Sequence, residues 1–87
     1  MTIRYSKRFR KQFQKLRKGE RDRFWERLAV FTTDQYAKQL SHHVLRGKYA
    51  GMHSINIGGD LRALFIEKDD EMVLFELIGT HSQLYRS

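Results

Sequence analysis

Four residues carry side chains suited to acid–base work on a phosphodiester: His43, Asp60, Arg62 and His81. Cleaving RNA without a metal takes three groups. A base removes the ribose 2′-OH proton, an acid protonates the departing 5′-oxygen, and a cation stabilises the charged phosphorane. Histidine titrates near neutrality and serves in either proton-transfer role. Arginine stays charged and offers phosphate a planar fork of donors. Each residue also has a purely structural reading. Asp60 follows two glycines and suits a turn, and His81 could cap the chain through Thr80. Arg62 is harder to dismiss, because arginine seldom sits in an apolar strand without an anion or an open face. Tyr85 could pack its ring on a sheet or stack on an RNA base. The four histidines, at 42, 43, 53 and 81, form neither the i,i+4 helical pair nor the Cys/His quartet of a zinc site. No metal or cofactor is expected, and His42 reads as an exposed loop residue.

These residues need a scaffold to bring them together. Thr2–Tyr5 reads as a short strand, and Ser6 as the N-cap of a helix. Phe9, Phe13 and Leu16 then make one apolar stripe, while Arg8, Lys11, Lys15 and Lys18 share another side. That basic stripe suits phosphate tracking or simple solvation. Gly19 suits the helix C′ position, and Phe24, Leu28 and Phe31 mark a second amphipathic helix that ends at Thr32-Thr33-Asp34. Residues 35–42 read as irregular or briefly helical. His43–Arg46 is a short strand candidate closed by Gly47. Met52–Ile57 alternates in polarity, Gly58-Gly59-Asp60 is a turn, and Leu61–Glu67 is a β-rich run. After the polar turn at 68–71, Met72–Ile78 completes a meander, and Gly79-Thr80-His81 leaves the sheet. The expected architecture is β-α-α-β-β-β, one α+β domain over residues 1–87, with a helical hairpin on one face of an antiparallel sheet. The other face is left partly open, which is where a site could lie.

Charge narrows the function classes. The 17 Lys and Arg residues against 10 acids give +7, and the excess is uneven. Residues 1–50 hold 14 basic and 4 acidic residues, whereas residues 51–87 hold 3 and 6. A basic half attracts polyanions, either nucleic acid or an acidic protein segment. A hydrophobic content of 40% excludes a disordered chain. No apolar run is long enough for a membrane span or has the form of a signal peptide, and cysteine is absent. A cytoplasmic location is the expectation.

Four blocks, in order, resemble the YafQ-like branch of the RelE/ParE toxins. They are Tyr5-Ser6-Lys7-Arg8-Phe9, His43-Val44-Leu45-Arg46-Gly47-Lys48-Tyr49-Ala50-Gly51, Ser54 through Arg62, and Ile78-Gly79-Thr80-His81-Ser82-Gln83-Leu84-Tyr85. The resemblance covers nearly the whole chain, and its last block is the most specific. It implies the β-α-α-β-β-β fold and a toxin that cleaves mRNA in the ribosomal A site. It also implies a cognate antitoxin of ribbon-helix-helix type, with operator DNA bound only through that antitoxin. By position, His81 matches the proton donor, His43 and Asp60 match catalytic residues of which either could be the base, and Arg62 matches a phosphate-stabilising arginine. Tyr85 falls at a substrate-contacting aromatic position, and His53 lies near a RelE lysine. Arg46, Lys48 and the first-helix basics are the expected ribosomal-RNA contacts. The namesake of the branch carries histidine, tryptophan and arginine where this chain has Asn56, Leu61 and Leu77. Arg62 is the cation available in place of Leu77. A ParE-like gyrase poison, or a non-catalytic member that only binds its antitoxin, fits the same fold.

Overall fold

The helices form because apolar side chains recur at the helical period and each start is capped. In the computed structural model, which describes residues 1–69 and 71–85, strand β1 (Thr2–Tyr5) runs directly into Ser6 and helix α1 (Lys7–Gln14). The Ser6 hydroxyl accepts from the Phe9 amide at 3.0 Å and donates to the Glu76 carbonyl at 3.0 Å. One side chain thus starts the helix and ties it to a strand 70 positions away. Helix α2 (Lys18–Thr33) follows after three residues, and the Glu20 carboxylate accepts from the Arg17 amide at its start. Gly19 therefore lies inside the first turn of α2 rather than closing α1, which stops earlier, at a right-handed Lys15. Phe9, Phe13 and Phe24 interlock with ring centroids 5.4–5.8 Å apart, an aromatic seam between the two helices.

Two 3₁₀ turns, Lys38–Leu40 and Gly47–Tyr49, flank the short strand β2 (His43–Val44). The meander is β3 (His53–Gly58), β4 (Leu61–Glu67) and β5 (Met72–Thr80). Asp70, part of the polar turn expected at 68–71, lies outside the described residues. A one-turn helix, α3 (His81–Tyr85), follows at once. The sheet order is β1-β5-β4-β3-β2. It is mixed rather than purely antiparallel, because β1 pairs parallel to β5, with Ile3 opposite Val73. The reason is topological: the meander leaves the outer edge of β5 unpaired, and the first strand fills it.

Parity along the strands divides the side chains between two faces. Ile55 and Ile57, Ala63 and Phe65, and Val73, Phe75 and Ile78 point to the helices and pack with Phe9, Phe24, Phe31 and Leu40. On the opposite face, Leu64 and Leu77 pair across β4 and β5 and pack with Leu45 and Leu84, so α3 closes part of the side expected to be open. A bulge at Glu76 keeps this arrangement, since Leu64 pairs with Leu77 and Phe65 with Phe75. Among the described residues, no helix is long and apolar enough to cross a membrane.

Candidate functional site

The site is built around the small leucine cluster on the face away from α1 and α2. Asn56, Arg62 and Gly79 form one cross-strand row of that face, and Ser54, Leu64 and Leu77 form the next. His43 pairs with Ser54 and extends the second row to the sheet edge. Arg62 therefore stands on β4, between the β5 end that leads to His81 and the β2 edge that carries His43.

Arg62 is held in place. Its Nη1 donates to Asn56 Oδ1 at 3.0 Å, to the Gly59 carbonyl at 3.0 Å and to the Leu61 carbonyl at 3.2 Å. Among the described residues, no carboxylate forms an ion pair with it. Asn56 Oδ1 also accepts from the Gly58 amide at 2.9 Å, so one amide side chain organises both the turn and the arginine. The turn itself needs glycine: Gly59 has φ +54, and at Gly58, with φ +146, an added Cβ would lie 2.9 Å from Arg23 Nε. The Asp60 side chain is exposed, and its carbonyl accepts from the His81 amide at 3.2 Å.

Helix α3 presents the other groups. Thr80 and Gln83 form reciprocal bonds: the Gln83 amide donates to Thr80 Oγ1 at 3.2 Å, and the Thr80 amide donates to Gln83 Oε1 at 2.8 Å. This is a capping box. It fixes the helix so that Leu84 is buried while the His81 and Tyr85 rings stack, 4.6 Å apart at 28°, on the exposed side. Tyr49 packs edge-on against Tyr85 at 5.3 Å, and its hydroxyl donates to the Leu84 carbonyl. Lys48 Nζ donates to the same carbonyl at 3.4 Å, which carries Lys48 to the rim of the site. Arg46 is exposed beside it. Lys7 and Arg8 of α1 border a groove of roughly 490 Å³ with Tyr49, Met52 and Leu77, so part of the basic stripe adjoins this face.

The structure thus gathers His81, Tyr85, Lys48, Asp60 and Arg62 at one end of the face. His43 lies across it, exposed, with Nδ1 2.8 Å from the Ser41 carbonyl. Its Cα is roughly 12 Å from that of Arg62, judged from two strand spacings and two residues along. That gap is too wide for direct contact but admits a substrate. His53 is not part of this grouping. It shares parity with Ile55 and Ile57, lies on the helix-side face and stacks on Phe65 at 5.0 Å. His42 is half-buried rather than an exposed loop residue, because its ring stacks on Tyr36 at 4.4 Å and bonds to His53 and the Gln35 carbonyl. Burial pushes the His42 pKa below the ordinary histidine value, opposed by the bond to Gln35. Chain spacing alone had indicated no metal-ligating group, yet His42, His53 and Glu67 come together in space.

Sequence reasoning missed Asn56 and Tyr49 as organising residues, and it missed α3 altogether. The helix did have a signal, the Thr80-x-x-Gln83 capping pattern. Leu61 and Leu77 have packing roles here. Leu61 (2% exposed) lies in the helix-side core, and Leu77 (5% exposed) lies in the leucine cluster under α3.

Comparison with known proteins agrees with this architecture. Residues 1–86 match the family described as bacterial toxin of type II toxin-antitoxin system, YafQ. Among curated protein sequences nothing matches significantly. YafQ from E. coli strain BL21(DE3) superposes with a TM-score of 0.78 at 18% identity, covering 95% of this chain and 96% of that one. The E. coli DinJ-YafQ toxin-antitoxin complex contains a chain matching with TM-score 0.72 at 20% identity, covering 95% of this chain and 94% of that one. The archaeal RelE-RelB complex from Pyrococcus horikoshii OT3 contains another, with TM-score 0.72 at 17% identity over 94% of this chain and 96% of that one. With the family match spanning the full set of strands and helices described above, the chain belongs to the YafQ family of bacterial type II toxin–antitoxin toxins.

Proposed function

We propose that this toxin is a ribosome-dependent mRNA endoribonuclease that cleaves by metal-independent general acid–base chemistry. The observation that carries the reading is the position of Arg62: a cation on an exposed sheet face, held by Asn56 and the turn carbonyls, between two histidines on opposite sides. Its three bonds converge on Nη1, so the other edge of the guanidinium can meet a phosphate oxygen. In-line displacement places attacking and leaving oxygens on opposite sides of phosphorus. His81 would protonate the leaving 5′-oxygen. His43, across the face, is better placed as the base than Asp60, which sits on the same side as His81. Asp60 would then orient substrate or tune the acid. Tyr85, stacked on His81, offers its exposed ring to a base of the mRNA, and Arg46, Lys48 and Arg8 would contact ribosomal RNA. The products are a 2′,3′-cyclic phosphate (or 3′-phosphate) and a 5′-hydroxyl.

The test is cleavage of a defined mRNA on programmed ribosomes, with analysis of both new ends. His81→Ala and Arg62→Ala should each slow cleavage by on the order of 10²–10³-fold, the usual scale for removing an acid or a charge-stabilising donor. Wild-type rates in both variants would refute the assignment. Induction of DNA damage before translation arrest would point instead to a gyrase poison. The toxin is further proposed to act in the cytoplasm and to be held silent by a cognate antitoxin, a partnership for which the DinJ-YafQ toxin-antitoxin complex is the precedent. The basic half suits an acidic segment that folds over it. Co-purification with the product of the adjoining gene is expected, with operator DNA bound only by the complex.

A further inference from the structure

His42, His53 and Glu67 meet on the helix-side face, at a corner with no part in the proposed cleavage. Three separate stretches of chain supply them: the loop before β2, the first residue of β3 and the last residue of β4. One potential ligand atom from each lies within 4.8 Å of the others. The corner is rigid. His53 is fixed by pairing with Val44 on one side and Phe65 on the other, and its ring stacks on Phe65 at 22°. The His42 ring lies flat against Tyr36, at 6°, and packs 5.3 Å from Phe65 and 6.2 Å from Phe31.

The polar contacts orient the nitrogens. His42 Nδ1 lies 2.9 Å from the Gln35 carbonyl, which can only accept, so Nδ1 carries the proton and the Nε2 lone pair faces His53. A backbone carbonyl on the far nitrogen is the usual outer partner of a metal-bound histidine. His42 Nε2 lies 2.8 Å from His53 Nδ1, and His53 Nε2 lies 3.8 Å from Glu67 Oε1. The side chain of His53 is 15% exposed and that of Glu67 is 41% exposed, so the corner opens to solvent on the carboxylate side.

We propose that His42, His53 and Glu67 form a binding site for a late first-row divalent cation, with zinc as the reference ion. Two imidazoles and one carboxylate are a borderline donor set that suits zinc, with water completing four-coordination. Tetrahedral zinc with bonds of about 2.0–2.1 Å keeps its ligand atoms about 3.3 Å apart. Side-chain adjustments of about 1.5 Å at most therefore close the set, and the exposed Glu67 can supply most of that. Binding takes the place of the proton between the two histidines, which passes to His53 Nε2 on the Glu67 side so that both rings ligate as neutral imidazoles, and it clamps the 34–42 loop to the sheet. His42 and His43 are adjacent and lie on opposite faces, so the clamp also steadies the backbone that carries His43. The site does not depend on the ribonuclease reading, and its test needs no cleavage assay.

The experiment is titration of the metal-free full-length toxin with zinc chloride in competition with a chromophoric indicator, with magnesium chloride in parallel. The expected result is one equivalent of zinc and no competition by magnesium, whose preference is for oxygen ligands. Glu67→Gln and His53→Gln should each weaken binding at least about tenfold, the scale on which even outer partners matter. His43→Ala and His81→Ala, on the other face, should bind as wild type does. Circular dichroism of each metal-free variant separates lost ligation from lost folding. If a histidine variant fails to fold, Glu67→Gln alone decides. Failure of wild type to compete with the indicator overturns the proposal, as does binding unchanged in Glu67→Gln or lost in His43→Ala.

Discussion

The two faces of this sheet use their side chains for opposite ends. The helix-side face is sealed by rings: Phe9, Phe24, Phe31, Phe65 and Phe75 form an aromatic core closed by α1 and α2. The far face has a smaller cluster, Leu45, Leu64 and Leu77 beneath Leu84 of a single helical turn, and polar groups stand around it. Burial of large aromatic area stabilises a small domain, and a chain of this length has room for one such core. The thin far face contributes less to stability and is where His43 and His81 stay exposed and Arg62 only half-buried. The contrast teaches that the cost of an open face is offset by concentrating apolar volume on the other.

Truncating the sealed face should have the largest effect. Phe75→Ala is expected to cost about 3–5 kcal/mol, a large part of the stability of a small domain, as read by urea denaturation. A loss below 1 kcal/mol would mean that the aromatic core is not the main support. On the far face the effects should separate. His81→Ala should leave stability within about 0.5 kcal/mol, because the side chain is exposed, while cleavage on ribosomes collapses. If it unfolds the protein instead, the division between the faces fails. Leu84→Ala should fall between these, at about 2 kcal/mol, the low end for a buried leucine because this face is only partly covered. It should also impair cleavage, since Leu84 seats the helix that carries His81 and Tyr85.

Thr80→Ala sharpens the comparison further. Loss of the cap should cost about 1 kcal/mol, detected as faster amide exchange in residues 81–85 with the rest of the sheet unchanged. The smallest effect is on pH dependence. Burial raises the Tyr5 hydroxyl pKa above its ordinary value of 10.0. Below that value the phenol is protonated in both states. As pH rises past it, the unfolded chain ionises first, so stability is lost until the raised folded value is passed. Tyr5→Phe should remove this alkaline limb in denaturation measured across that range.

Local patterns were legible wherever one face of an element was apolar. The Phe9/Phe13/Leu16 stripe marked α1, and the run Leu61–Glu67 gave β4 with its observed bounds. Gly19 misled because a glycine between two helices suits either the end of the first or the start of the second. The parallel pairing of β1 was hidden because it depends on which edge the meander leaves free. His42 was misread because Tyr36, Phe65 and His53 cover it only in three dimensions. His53 differs: the resemblance made it a site candidate, although its parity with Ile55 and Ile57 puts it on the helix-side face. Of the candidate site, the residue types and the Gly-Gly turn were readable. Asn56 as the bracket for Arg62 was not, because the two meet only as cross-strand partners, in a register that a bulge just past Asn56 displaces.

The pairing of β1 with β5 has a kinetic consequence. Ser6 cannot bond the Glu76 carbonyl, nor Ile3 find Val73, until some seventy further residues have been made. At synthesis rates of about 5–20 residues per second, the first strand and helix wait several seconds for their neighbour. Long-range closure of this kind also slows folding itself. A nascent chain therefore spends that interval without the Phe75 ring that packs on Phe9, Phe24 and Phe31 in the fold. The sheet closes late, when β5 enters between β1 and β4.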